Sequence, residues 1–269
     1  MKTLVANIGQ VEYGWLLQAI MRLRYQAKAF DQTVVYCEKG LEYLCEDFAT
    51  GIVSYEPELG WRDRWLFRGK QITVPKKILA MYPGASKFVP TERNCTNLMF
   101  TPFKYGQDNA CSKTLFDVAV HARWVIRGDW IDRACGGHHN WGTTRWTKLV
   151  KTLAPLKVAC VGSTSGSRHI PGTMDYRGID MKHLCNIMAQ VQVVIGESSF
   201  PMHLASMCGT PHVVITHDKL EKSIGTTNKA RYEVLWNPLK TPCKVVRHEK
   251  WNPRVSEVLE KVRLFTQCE

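Results

Sequence analysis

One stretch constrains this chain more than any other: residues 193–215, VVIGESSFPMHLASMCGTPHVVI. A β-branched apolar run breaks at Gly196, a small polar patch follows, and a helix-like segment runs to Cys208. Gly209, Thr210 and Pro211 stop that segment before a second β-branched run. Short apolar runs bounded by turn residues suit strands buried on both faces of a parallel sheet, so the stretch reads as strand, loop, helix, strand. Its first loop sets Gly196, Glu197, Ser198 and Ser199 where the carboxyl end of a strand meets a helix start. Open α/β sheets take ligands at that edge, and helix N-termini favour anionic groups such as phosphate.

The same grammar recurs along the chain. Thr3 to Ile8 reads as a first strand, followed by a glycine-bounded loop carrying Glu12 and a helix through about Ala29 with Leu16, Leu17, Ile20 and Leu23 on one face. The loop is not GxGxxG and no Walker lysine follows it, but it puts Glu12 at the carboxyl edge, where catalytic groups sit. Thr33 to Cys37 and Ile52 to Tyr55 read as strands, with a helix opened by Lys39-Gly40 and running through Phe48 between them. Further on, Thr114 to Arg123 reads as a buried strand with a cationic tip, and Thr143 to Leu153 as an amphipathic helix capped by threonine. Leu156 to Val161 is a strand ending in Gly162, Ser163 and Thr164, small residues that let a ligand approach the backbone. A helix runs from Asp180 to about Gln190, Val234 to Trp236 reads as a short strand, and Pro253 to Phe265 as a last helix. The expected architecture is α/β, two domains at 1–110 and 111–269 with parallel sheets and a cleft between them. The last helix, about 253–266, is expected to pack back on the first domain.

Charge narrows the partners. Lys and Arg number 36 against 24 Asp and Glu, a net charge of +12, which favours nucleic acid, a phosphate-rich lipid surface or a charged nucleotide. A merely soluble basic protein would show the same balance. Residues 56–108 interleave aromatics with cations, and Trp61, Arg62, Arg64, Arg68 and Lys70 are the acceptor-binding candidates; this pattern suits a polyanion with stackable bases. The competing reading is an inserted subdomain with its own aromatic core. No apolar run approaches the ~18 residues of a membrane span, and the first residues turn polar too soon for a signal peptide. Stable membrane insertion is therefore not expected, and the cytoplasm (the host's, for a viral protein) is the default location. The ten cysteines are scattered without a CxxC pair, so structural zinc is poorly supported. Cys135 with His138 and His139 is the nearest approach to a metal cluster, against a plain polar loop.

The 193–215 stretch resembles the donor motif of glycosyltransferase family 9, the heptosyltransferase-like enzymes, with its GxDSGxxHLAxxxGTPxVxL pattern. FDVAVHAR resembles the strand that opens the second domain of such proteins, HNWGTTRWTKLVKTL their RNWPxxxWxxLxxxL helix, and GQVEYGWLL the GEYGWE loop of related transferases. Glu197 stands where the pattern has Asp, Ser199 where it has Gly, and His139 where it has Arg. The resemblance implies a GT-B fold, two Rossmann-like domains with parallel sheets facing a central cleft, and a nucleotide-sugar donor as co-substrate held mainly by the second, with neither a cofactor nor a catalytic metal. Amides, hydroxyls and cations must then hold the diphosphate. Gly196, Glu197, Ser198, Ser199, His203 and Arg123 are the donor-site candidates on that reading, with Gly162, Ser163 and Thr164 bordering the nucleotide and Glu12 as the base. The expected acceptor is a hydroxymethylated pyrimidine in DNA, as modified by bacteriophage transferases. The alternatives are a lipopolysaccharide core sugar or other surface glycan, and a non-catalytic nucleic-acid-binding protein on a transferase scaffold.

Overall fold

The computed structural model describes residues 1–9, 13–56, 73–88, 105–106, 115–124, 141–217, 220–221, 226–249 and 251–266. The chain divides into two compact units, Met1–Phe103 and Lys104–Glu269. Both are α/β with parallel sheets.

In the first unit, β1 (Thr3–Asn7), β2 (Gln32–Glu38), β3 (Gly51–Tyr55) and β4 (Ser86–Phe88) form one sheet in the order β3-β2-β1-β4. Every pairing in it is parallel. Helix α1 (Tyr13–Ala27) buries Leu16, Leu17, Ile20 and Leu23, the face read from the sequence. Val5 and Val34 meet Val74 and Ile78, the latter on α2 (Lys76–Met81). Two expectations change. The helix from Gly40 to Phe48 is only a 3-10 turn, Glu42–Leu44, because the chain must turn back at once for the Thr50 amide to bond the Thr33 carbonyl at 2.8 Å and start β3. Residues 56–108 are not wholly an insert, since β4 pairs directly with β1. A three-residue strand with Ser86 and Lys87 exposed leaves no readable alternation.

The second unit holds β5 (Val118–His121), β6 (Val158–Gly162), β7 (Met174–Arg177), β8 (Val193–Glu197), β9 (His212–Thr216) and, after a small antiparallel pair β10 (Leu220–Glu221) and β11 (Thr226–Thr227), β12 (Cys243–Arg247). The large sheet runs β12-β9-β8-β5-β6-β7, with every pairing parallel. Counted from β5, this is the 3-2-1-4-5-6 winding of dinucleotide-binding folds, whose order reverses between β5 and β8. Val118, Val120, Val158, Cys160, Val193, Ile195, Val213 and Ile215 alternate onto one face. That face is covered by α3 (Thr143–Thr152), through Trp146, Leu149 and Val150, and by α6 (Val255–Val262), through Val258 and Val262. The residues between them, Ala119, Ala159, Val194 and Val214, are equally buried, as a two-sided parallel sheet requires. Helices α4 (Met181–Gln190) and α5 (Phe200–Met207) complete the unit.

The apolar side of α6 packs on Val246 and Ile215. Elsewhere in this unit the structure departs from expectation. Gly142, not a threonine, is the N-cap of α3; the Thr143 hydroxyl instead accepts from Arg168 Nη1 at 2.6 Å. The segment read as a strand at Val234–Trp236 is a π-helix, Arg231–Leu235. Strands β7 and β12 escaped the sequence reading because both lie at sheet edges and carry the charged residues that edges need. Among the described residues, no helix is long and apolar enough to cross a membrane.

Candidate functional site

The switch point sets the carboxyl ends of β5 and β8 side by side, with His121 in register with Gly196. Open α/β sheets bind ligands there. Glu197 ends β8 and is 1 % exposed. Its Oε1 accepts the Trp141 amide at 2.9 Å and the Trp146 indole N–H at 3.1 Å, and its Oε2 accepts the Arg123 amide at 2.8 Å. Burial pushes its pKa up to about 7, while these three N–H groups pull the other way. The carboxylate thus brackets the loop after β5 and the start of α3 onto the end of β8. The sequence offers both tryptophans only as matches to the RNWPxxxWxxLxxxL helix, with no role at the site.

The arginine that the bracket positions is half-buried, and its Nη1 donates to the Ser198 carbonyl at 3.1 Å. One of its five N–H groups is thereby used, and none of the others has a side-chain or carbonyl partner among the described residues. Arg123 bridges Ser167 in antiparallel fashion. The Trp124 amide bonds the Gly166 carbonyl at 3.0 Å, the Arg168 amide bonds the Ala122 carbonyl at 2.8 Å, and the Arg168 guanidinium lies 3.4 Å over the Trp124 ring. The loops after β5 and β6 are therefore one knitted surface. Within it, Ser163 and Thr164 are exposed, and Ser163 Oγ accepts the Gly166 amide at 2.9 Å.

The helix start is less open to anions than the sequence suggests. Pro201 lacks an N–H, the Ser198 amide goes to the Ile215 carbonyl at 3.0 Å, and the Met202 amide to the Ser199 carbonyl at 3.2 Å. Ser199 Oγ donates to the Glu197 carbonyl at 2.7 Å, and Ser198 Oγ lies 2.9 Å from the Tyr232 hydroxyl. His203 is buried, stacked on Tyr232 at 4.3 Å and 7°, and flanked by Trp236 at 4.7 Å. Among the described residues its Nδ1 has no partner, and burial, with Arg231 beside it, holds its pKa well below the usual histidine value. It is thus a neutral ring in an aromatic stack, able to hydrogen-bond but not to act as a cation. Arg231 in turn lies 4.3 Å over Trp236. Tyr232 and Trp236 went unnoticed in the sequence because a π-turn, not a strand, brings them to His203.

Gly196 and Gly162 occupy the ends of β8 and β6. A Cβ at Gly196 would lie 2.6 Å from Met202 Sδ, and one at Gly162, where φ is +124°, would lie 2.6 Å from His121 Nδ1. The space they leave is filled by side chains of the protein itself. Glu12 and the acceptor candidates Trp61, Arg62, Arg64, Arg68 and Lys70 lie outside the described residues, as do Cys135, His138 and His139. Among the described residues, no three His, Cys, Asp or Glu side chains gather as a metal site.

Neither a family model nor a curated protein matches the sequence. The fold does have solved counterparts over its whole length. A glycosyl transferase family 9 protein from Veillonella parvula superposes with a TM-score of 0.63 at 10% identity, covering 98% of this chain and 97% of its own. ADP-heptose lps heptosyltransferase II of E. coli gives 0.63 at 12%, covering 98% of each. The E. coli heptosyltransferase WaaC, solved with ADP, gives 0.58 at 11%, covering 99% of this chain and 100% of its own. At such identities the likeness establishes the fold: two parallel α/β units of the GT-B type.

Proposed function

We propose that the chain is a glycosyltransferase that moves a sugar from an ADP-sugar to a hydroxyl of a phosphorylated saccharide. The observation that carries this is Arg123, a tethered guanidinium with N–H groups unclaimed among the described residues, at the switch point of a Rossmann-wound unit. Full-length likeness in fold to one heptosyltransferase solved with ADP and with ADP-2-deoxy-2-fluoro heptose supports the choice of nucleotide. A guanidinium binds diphosphate oxygens bidentately, and Arg123 neutralises the charge that grows on the leaving diphosphate without a metal ion. The acceptor oxygen attacks the anomeric carbon, the bond from that carbon to the diphosphate oxygen breaks, and the acceptor proton passes to a carboxylate, assigned to Glu12. Glu197 is read as positioning Arg123 rather than touching the donor itself, because it is 1 % exposed and faces three N–H groups of the protein.

The net charge of +12 suits a phosphorylated glycan as well as it suits DNA, and the likeness in fold to heptosyltransferases tips the reading to the glycan. The test is a thermal-shift panel of ADP, ADP-glucose, UDP and GDP. A ligand at about 100 times its Kd stabilises the native state by about 2.7 kcal/mol, or about 5–10 °C for domains of this size. ADP and ADP-glucose are expected to raise the melting point. A protein indifferent to all four, yet bound to duplex DNA in a salt-sensitive manner, would replace this reading with that of a nucleic-acid-binding protein.

A further inference from the structure

His121 is the last residue of β5, at the centre of the switch point, and only 4 % exposed. Its Nδ1 lies 3.0 Å from the Val161 carbonyl oxygen. A carbonyl only accepts, so Nδ1 carries the proton and Nε2 carries the lone pair. Burial lowers the pKa to about 4, which keeps the ring in this neutral form. Among the described residues, nothing hydrogen-bonds Nε2.

Two glycines make room for this ring. On one side a Cβ at Gly162 would lie 2.6 Å from Nδ1 and 2.8 Å from Cε1; on the other, a Cβ at Gly196 would lie 3.1 Å from the His121 Cβ. Gly162 also takes φ of +124°, a conformation that other residues adopt only under strain. The bond to Val161 is not needed to pair the strands, since β5 and β6 are already in register from Val118 to Val120. Among the described residues the imidazole thus keeps its Nε2 acceptor free for a ligand. Its lone pair repels phosphate oxygens, so it complements Arg123 instead of duplicating it.

We propose that His121 is a specificity residue of the donor site, its Nε2 accepting a hydrogen bond from a hydroxyl or amino group of the nucleotide-sugar. This rests on the reading that the second unit binds such a donor. Two variants separate the ring's two nitrogens. In His121→Asn the side-chain amide reproduces the Nδ1–H bond to Val161 but offers nothing at the Nε2 position. In His121→Gln the carboxamide oxygen reaches the Nε2 position and the Val161 bond is lost.

Titration calorimetry with ADP and with ADP-glucose, alongside melting points, reads both. The Asn variant is expected to melt near wild type and bind about tenfold more weakly, while the Gln variant melts lower and keeps its affinity. Loss with both ligands puts the donating group on the nucleoside; loss with ADP-glucose alone puts it on the sugar. Equal binding by all three proteins overturns the proposal, as does weakening in the Gln variant with affinity kept in the Asn variant, or weakening in both that follows the melting point. A wild-type protein that binds neither ligand overturns the proposed function, and this inference with it.

Discussion

Glu197 shows how a residue can be named from sequence while its work stays hidden. The motif put it at the end of a strand beside a helix start, and it is there, but its three N–H partners come from residues as far as 74 positions away. Spacing within one motif carries no trace of such partners, so the inward-facing bracket was not legible. Glu197→Gln puts an amide N–H₂ against one of the three donors, and a cost of about 1–3 kcal/mol in urea unfolding is expected. The folded pKa of Glu197 is raised from 4.5 to about 7, so its stabilising share is whole below about 4.5 and lost as pH rises through about 7. The wild type should lose up to about 3 kcal/mol across that window relative to the Gln variant; parallel pH profiles would remove the assignment. His121 and His212, with folded values of about 4, act in the opposite sense and destabilise only as pH falls below their unfolded range. Arg123→Ala is expected to weaken ADP by about 10–100-fold, the worth of a charge-assisted hydrogen bond, with little change in melting point. An unchanged Kd in calorimetry would take Arg123 out of the site.

Most elements were readable in proportion to their burial, the half-buried edge strand β3 being the exception that its Ile52-Val53 pair gave away. The central strands β1, β2, β5, β6, β8 and β9 advertise themselves as β-branched runs, whereas β4, β7 and β12 are edge or three-residue strands whose side chains answer mainly to solvent. The π-helix was misread because propensity reports a residue's neighbours in the chain, not the stack it joins. Helix α4 is the opposite case, since the sequence reading ended its loop at Asp180 and the structure uses that residue as the cap. Asp180 Oδ1 accepts the His183 amide at 2.9 Å, and this, with the His183 ring beside it, lowers the Asp180 pKa. Asp180→Ala should cost about 1 kcal/mol and leave ADP affinity intact. A variant that also lost ADP binding would show that α4 supports the site.

At the scale of the whole molecule, two α/β units were legible from the recurrence of strand and helix, while the winding order was not, because pairing between distant strands leaves no local mark. The surplus of positive charge predicts that turnover on a phosphorylated acceptor falls as ionic strength rises past about 0.1 M, where the screening length shrinks to about 10 Å. A salt-independent KM for that acceptor would count against an electrostatic role for the surplus. Both units share a further trait: the first strand of each is an inner strand, flanked by partners that come later in the chain. While the protein is being synthesised, β1 has two bare edges, one waiting for β2 and the other for β4. The wait spans roughly 80 residues, or roughly 4–16 s at ribosomal rates of about 5–20 residues per second. A parallel-sheet edge left open that long is a site for mispairing with other nascent chains, so soluble yield should depend on expression rate and temperature more than native stability would suggest.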